Sequence, residues 1–286
     1  MATQVQSSDW TSITFLPSAI SKGAVCLDGS PPAYYFRKGS GDGIDNWVIF
    51  LEGGGWCASN KGCLERTNIS TGSTKLKEKR HYFKDILSSN LTINPDFYNW
   101  NRVYVGYCDG SSYTGDVEEN TYPTRRGAKI FDVVMEDMLA KGMKNAKNAI
   151  LSGGSAGAWG AIVHCDGFRE LIPKASRVKC ISDSGFFVHA KNLYGAKKRE
   201  EYFADLIAYH RSNKFLPPSC TSKMNASLCL FPENIVKDIK TPIFFLESAF
   251  DYYQTVAEAI SDWYFDRSSF QEIDTQNELP RDCTIL

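Results

Sequence analysis

Short apolar, β-branched or aromatic runs punctuate the chain at Trp47–Leu51, Val103–Tyr107, Ala149–Ser152, Val178–Ser182 and Pro242–Glu247. Each is strand-sized. Between the second and third lies Gly127–Met143, where Ile130, Phe131, Val134, Met135, Met138 and Leu139 recur at helical spacing and Gly142 offers a stop. Strands alternating with helices predict an α/β fold, a mostly parallel sheet covered by helices. No repeat, low-complexity tract or linker interrupts the pattern, so residues 1–286 read as a single domain. Ligands of such sheets sit at the carboxyl ends of the strands, which directs attention to the residues just after each run.

After Ala149–Ser152 come Gly153-Gly154-Ser155-Ala156-Gly157 and then helix-compatible Ala158–His164. This is G-x-S-x-G between a strand and a helix, the setting in which a sharp turn lifts a serine hydroxyl above the sheet. Ser155 is the expected nucleophile, with the following helix N-terminus adding positive potential where an oxyanion develops. After Trp47–Leu51 come Glu52-Gly53-Gly54-Gly55-Trp56-Cys57, a glycine cluster like the oxyanion loops of esterases. The expected oxyanion donors are the N–H groups of Gly54, Gly55 and Ala156. In this chemistry the acid follows the serine. Asp251, just past Pro242–Glu247, fills that place, and Asp183 is its competitor. The base should follow the acid, yet no histidine lies beyond Asp251. The four histidines are His81, His164, His189 and His210. His164 is nine residues past Ser155, roughly 13 Å along the helix, and reads as a packing residue.

Composition narrows the class. With 43% hydrophobic and 23% charged residues the chain is ordinary globular protein, and its net charge of -1 carries no signature of nucleic acid or an anionic membrane. No apolar run reaches the length of a spanning helix. Nine cysteines without a CxxC pair argue against zinc and for disulfides, and with sequons at Asn68, Asn90 and Asn225 they point to secretion. The first 25 residues do not read as a signal peptide.

Several stretches resemble the plant pectin acetylesterases and, more distantly, the animal Notum carboxylesterases. They are Lys22–Tyr34, Glu52–Cys57, Asn94–Arg102, Tyr107–Ser112, the Ser155 turn and Ser182–Phe187. The resemblance implies an α/β-hydrolase-like fold and a secreted cell-wall enzyme that removes acetyl groups from pectin. It implies Ser155 as nucleophile and Asp251 as acid, with no cofactor or metal, and a monomer acting on a homogalacturonan-type polysaccharide. It also marks departures. Gly154 stands where the family has a cysteine, and the tail after Asp274 does not match. The family's last strand and histidine loop are missing, which suggests an internal deletion near 254/255. The alternatives are therefore an acetylesterase, a catalytically inactive splice or truncation variant, and a polysaccharide-binding relative without catalysis, for which Trp56, Trp100 and the Tyr-rich loops are the stacking candidates.

Overall fold

The computed structural model describes residues 9–118, 121–189, 196–247, 260–261 and 263–267. Met1–Glu247 forms one compact unit and Ser248–Leu286 a second. In the second, the described residues make a helical turn closed by Phe265 N–H donating to the Ser261 carbonyl at 2.9 Å.

The first unit is built on an eight-stranded sheet: β1 (Trp10–Phe15), β2 (Ala33–Arg37), β3 (Asn46–Leu51), β4 (Arg80–Tyr82), β5 (Asn101–Val105), β6 (Asn148–Gly154), β7 (Arg177–Asp183) and β8 (Ile243–Leu246). Their order is β4-β1-β2-β5-β3-β6-β7-β8. The run β5-β3-β6-β7-β8 is parallel, whereas β1, β2 and β4 add antiparallel to its far side. The five apolar runs are the five parallel strands, so the mostly parallel α/β-hydrolase-like sheet is as expected. Of the antiparallel strands, β2 is a short aromatic run, Ala33–Phe36, that was not singled out, and β1 and β4 carry no such run. β1 alternates exposed Trp10, Ser12 and Thr14 with buried Thr11 and half-buried Ile13, because one of its faces is wet.

Helices α1 (Asn60–Arg66), α2 (Gly127–Ala140), α3 (Ala156–Leu171) and α4 (Ala196–His210) complete the frame. α2 buries Ile130, Phe131, Val134, Met135 and Met138, as its spacing requires. It ends at Ala140, and Gly142 at φ 121° starts a separate 3-10 turn over Met143–Asn145. α3 packs on two cores. Ala156, Ala161, Cys165 and Phe168 face the sheet core with Ile49, Leu51, Val105 and Leu151. Trp159 and Ile162 join a second core with Phe203, Leu216 and Phe231. A helix apolar on both sides holds its own N-terminus rigidly, and that end carries Ser155.

Four disulfides pair eight of the nine cysteines: Cys26–Cys108, Cys57–Cys63, Cys165–Cys180 and Cys220–Cys229. Cys283 lies outside the described residues. Cys165–Cys180 ties α3 to β7, and Cys57–Cys63 closes the segment directly after the glycine loop. No helix among the described residues is long and apolar enough to cross a membrane.

Candidate active site

β6 pairs with β7 to its last residue, Gly154 opposite Asp183. Beyond that point the chain turns at Ser155, whose N–H donates to the Asp183 carbonyl at 2.8 Å and whose carbonyl accepts the Trp159 N–H at 3.1 Å. Between those two bonds Ser155 takes φ 52° and ψ -120°. That region costs a residue with a side chain about 1–3 kcal/mol, and it persists only where the surroundings enforce it. The enforcement is close packing. A Cβ on Gly153 would lie 2.2 Å from the Gly157 carbonyl oxygen, and one on Gly157 would lie 2.1 Å from that of Leu51. A Cβ on Gly53 would lie 3.1 Å from the Cβ of Ser155. The exit of β3 therefore runs directly against the turn, and Ser155 itself remains exposed.

The glycine loop is shaped from behind. Gly54 and Gly55 have φ of 141° and 69°, open to glycine. Arg66, the last residue of α1, donates to the Gly54 carbonyl and, at 3.3 Å, to that of Gly55. The Tyr107 hydroxyl donates to the same Gly55 oxygen at 2.9 Å. In a trans peptide C=O and N–H point opposite ways. Holding these two carbonyls therefore turns the N–H groups of Gly55 and Trp56 away from Arg66. Among the described residues the N–H groups of Gly54, Gly55 and Ala156 donate to no protein acceptor.

A buried polar knot joins this loop to the turn. Trp56 Nε1 donates to Ser112 Oγ at 2.7 Å, and Ser112 Oγ donates to the Ala156 carbonyl at 2.5 Å. The Ser112 N–H donates to the Tyr107 hydroxyl at 3.0 Å, and the Tyr113 hydroxyl lies 3.1 Å from the Glu52 carbonyl. Gly110, Ser112 and Tyr113 all have positive φ, which Asp109 enforces. Its buried carboxyl accepts from the Ser111 N–H at 3.1 Å, the Ser111 hydroxyl at 2.5 Å and the Tyr113 N–H at 3.0 Å. Burial pushes the Asp109 carboxyl up to about 6 despite these donors.

The Pectinacetylesterase family model matches residues 4–257. The chain belongs to the pectinacetylesterase family. It is 52% identical over 246 residues to pectin acetylesterase 11 of Arabidopsis thaliana, covering 85% of this chain and 63% of that protein. To pectin acetylesterase 4 of the same plant it is 38% identical over 281 residues, 94% of this chain and 69% of the relative. To palmitoleoyl-protein carboxylesterase notum1' of Xenopus laevis it is 28% identical over 262 residues, 86% of this chain and 53% of the relative. The chain thus spans 63% of the length of pectin acetylesterase 11.

In this pectinacetylesterase chain the four histidines are engaged away from Ser155. His164 is buried, stacks on Phe131 with ring centroids 3.9 Å apart, and places Nε2 2.9 Å from the Tyr113 carbonyl. It is the packing residue that its helical position suggested. His210 is buried with Nε2 2.7 Å from the Cys57 carbonyl. Burial pushes both imidazoles down to about 4. His189 pairs with Glu200 at 2.5 Å, and His81 stacks on Tyr104. Asp183 contributes its backbone carbonyl to the turn, while Asp251 lies outside the described residues.

The knot of Arg66, Tyr107, Asp109 and Ser112 was missed by residue-level reading. Its signal is Tyr107-Cys108-Asp109-Gly110-Ser111-Ser112 at the carboxyl end of β5, where a sheet of this kind places function. Trp100 is 3% exposed against Phe97, and Trp56 is bound into the knot, so neither is a free stacking surface.

Proposed function

We propose that this chain carries the acyl-transfer site of a pectin acetylesterase, a carboxylic ester hydrolase that removes acetyl groups from cell-wall pectin. The observation that carries the reading is the strained, exposed Ser155, set between the exit of β3 and the N-terminus of α3. Ser155 Oγ attacks the acetyl carbonyl. The developing oxyanion is received by the N–H groups of Gly54, Gly55 and Ala156. The sugar oxygen leaves as a hydroxyl with the proton given up by Ser155, and water then cleaves the acetyl-serine to acetate and restores the serine hydroxyl. Asp251 is the acid assigned to orient a base. The four disulfides fit an oxidising compartment and hence secretion.

A second reading, a chain that keeps the acyl-binding site without turning over, is favoured by the placement of the histidines. All four are committed elsewhere, and removing the base of such a triad alone costs nearly as much as removing the triad, leaving roughly 10³–10⁴-fold over water. Hydrolysis of an aryl acetate by the full chain and by Ser155→Ala decides between them. The esterase reading requires a rate at least about 10³-fold above Ser155→Ala. Equal rates would sink it and leave the second.

A further inference from the structure

The outer edge of the sheet carries a second recognition surface. β4 is the edge strand and pairs only with β1, with Trp10 opposite Tyr82 and Ser12 opposite Arg80. Directly opposed residues share a face. Trp10 and Tyr82 stand 49% and 43% exposed, with ring centroids 5.5 Å apart and edge to face. The Arg80 guanidinium lies 5.8 Å from the Trp10 ring. On the other side, continuing the β1–β2 register brings exposed Lys38 opposite Trp10, where Arg37 reaches the Trp10 carbonyl at 3.5 Å. The two aromatic rings are thus flanked by Arg80 on β4 and by Lys38 just past the end of β2.

Edge strands are commonly protected by charge, and that would account for Arg80 and Lys38. It does not account for a tryptophan and a tyrosine left side by side in water, which works against such protection. Aromatic faces in water suit the C–H faces of sugar rings, and flanking cations suit carboxylates borne by those rings. Among the described residues neither Arg80 nor Lys38 has a carboxylate partner, so both charges are available. Glu78 and Asp85 bracket β4 at its two ends, leaving the aromatic pair between them. The surface lies on the β4–β1 edge, whereas Ser155 follows β6, four strands further across the sheet than β1.

We propose that this face binds an acidic polysaccharide, a chain of uronate sugars, and so holds the polymer while Ser155 meets individual ester groups. Only the choice of polymer rests on the pectin reading. The test is calorimetric titration of the full chain with a de-acetylated oligogalacturonate, which has no ester to cleave. Binding is expected for the wild type and undiminished for Ser155→Ala. It should weaken about tenfold or more in Trp10→Ala/Tyr82→Ala, as for loss of two stacking aromatics. It should weaken similarly in Lys38→Glu/Arg80→Glu, which leaves the Trp10–Tyr82 pair that braces the edge. A neutral oligogalactan should bind far more weakly. Wild-type affinity in either double variant overturns the proposal, as do equal binding of the neutral oligomer, no binding by the wild type, or loss in Ser155→Ala. Aryl acetate hydrolysis, measured alongside, is expected to be unchanged by either double variant, so failure of the esterase reading shows separately.

Discussion

Gly157→Ala sets two physical effects against each other. Gly157 is the second residue of α3, and alanine there gains about 1 kcal/mol of helix propensity over glycine. Propensity alone therefore raises stability. The structure reverses the sign. The new Cβ would lie 2.1 Å from the Leu51 carbonyl oxygen and 2.6 Å from that of Glu52. Both are backbone atoms, with no rotamer to yield. Reaching an ordinary carbon–oxygen contact requires strand exit and helix to part by about 1 Å. Against two backbone atoms that cannot yield, overpacking falls at the upper end of about 1–3 kcal/mol, so a net loss of about 2 kcal/mol remains after the propensity gain of about 1 kcal/mol. For a unit of this size that lowers the melting midpoint by roughly 4–8 °C. The same shift moves Glu52–Gly53 away from Ser155, and about 1 Å of misplacement costs on the order of 10²-fold in rate. Gly154→Ala is the control, since its Cβ would meet only the Phe50 ring, at 3.3 Å. Differential scanning calorimetry of the two variants, with aryl acetate kinetics, reads both effects. A Gly157→Ala chain melting at or above the wild-type temperature would refute the close approach of β3 to α3.

Two further outcomes follow from the same coordinates. Ser155→Gly should melt above Ser155→Ala by about 1 kcal/mol in denaturant titrations while both lose turnover, because glycine relieves the strain at φ 52° that alanine keeps. Stability should fall by about 2–3 kcal/mol between pH 7.5 and pH 5, read by urea unfolding at each pH. His164 and His210, held near 4 when folded, take up protons mainly in the unfolded chain, so their contribution is complete above pH 6.5 and lost toward pH 4. Asp109, raised to about 6, acts in the opposite direction and offsets part of the loss. A flat profile from pH 7.5 to pH 5 would contradict the burial of both imidazoles.

What could be read from the sequence was what periodicity encodes. β3, β5, β6 and β7 are buried on both faces, or nearly so, β8 is half-buried along its length, and all five appear as continuous apolar runs. β1 and β4 mix Thr, Ser and Arg with aromatics because one face of each is exposed, so no run marks them, whereas β2, a short buried aromatic run over Ala33–Phe36, was passed over. The Ser155 turn was legible because G-x-S-x-G is a contiguous pattern between a strand-like and a helix-like run, although the contacts that demand Gly157 come from Leu51 and Glu52 on the neighbouring strand exit. The knot behind the glycine loop was not, since Arg66, Tyr107 and Ser112 meet only once α1, β5 and α3 have come together. Nor could spacing pair the cysteines: Cys26 and Cys108 are 82 residues apart in the chain yet have Cα atoms 5.0 Å apart.

The clamp of Arg66 and Tyr107 on the glycine loop gives the site a polarity with two settings. A peptide group flanked by glycines can swing over with little steric hindrance, and each such flip exchanges an N–H for a carbonyl oxygen. At Gly54–Gly55 that exchange would invert the local potential, from one that welcomes an anion to one that repels it. The guanidinium and the phenol permit one setting by holding the oxygen ends. A side chain on α1, behind the loop, thus fixes which way the dipoles at Gly54–Gly55 point.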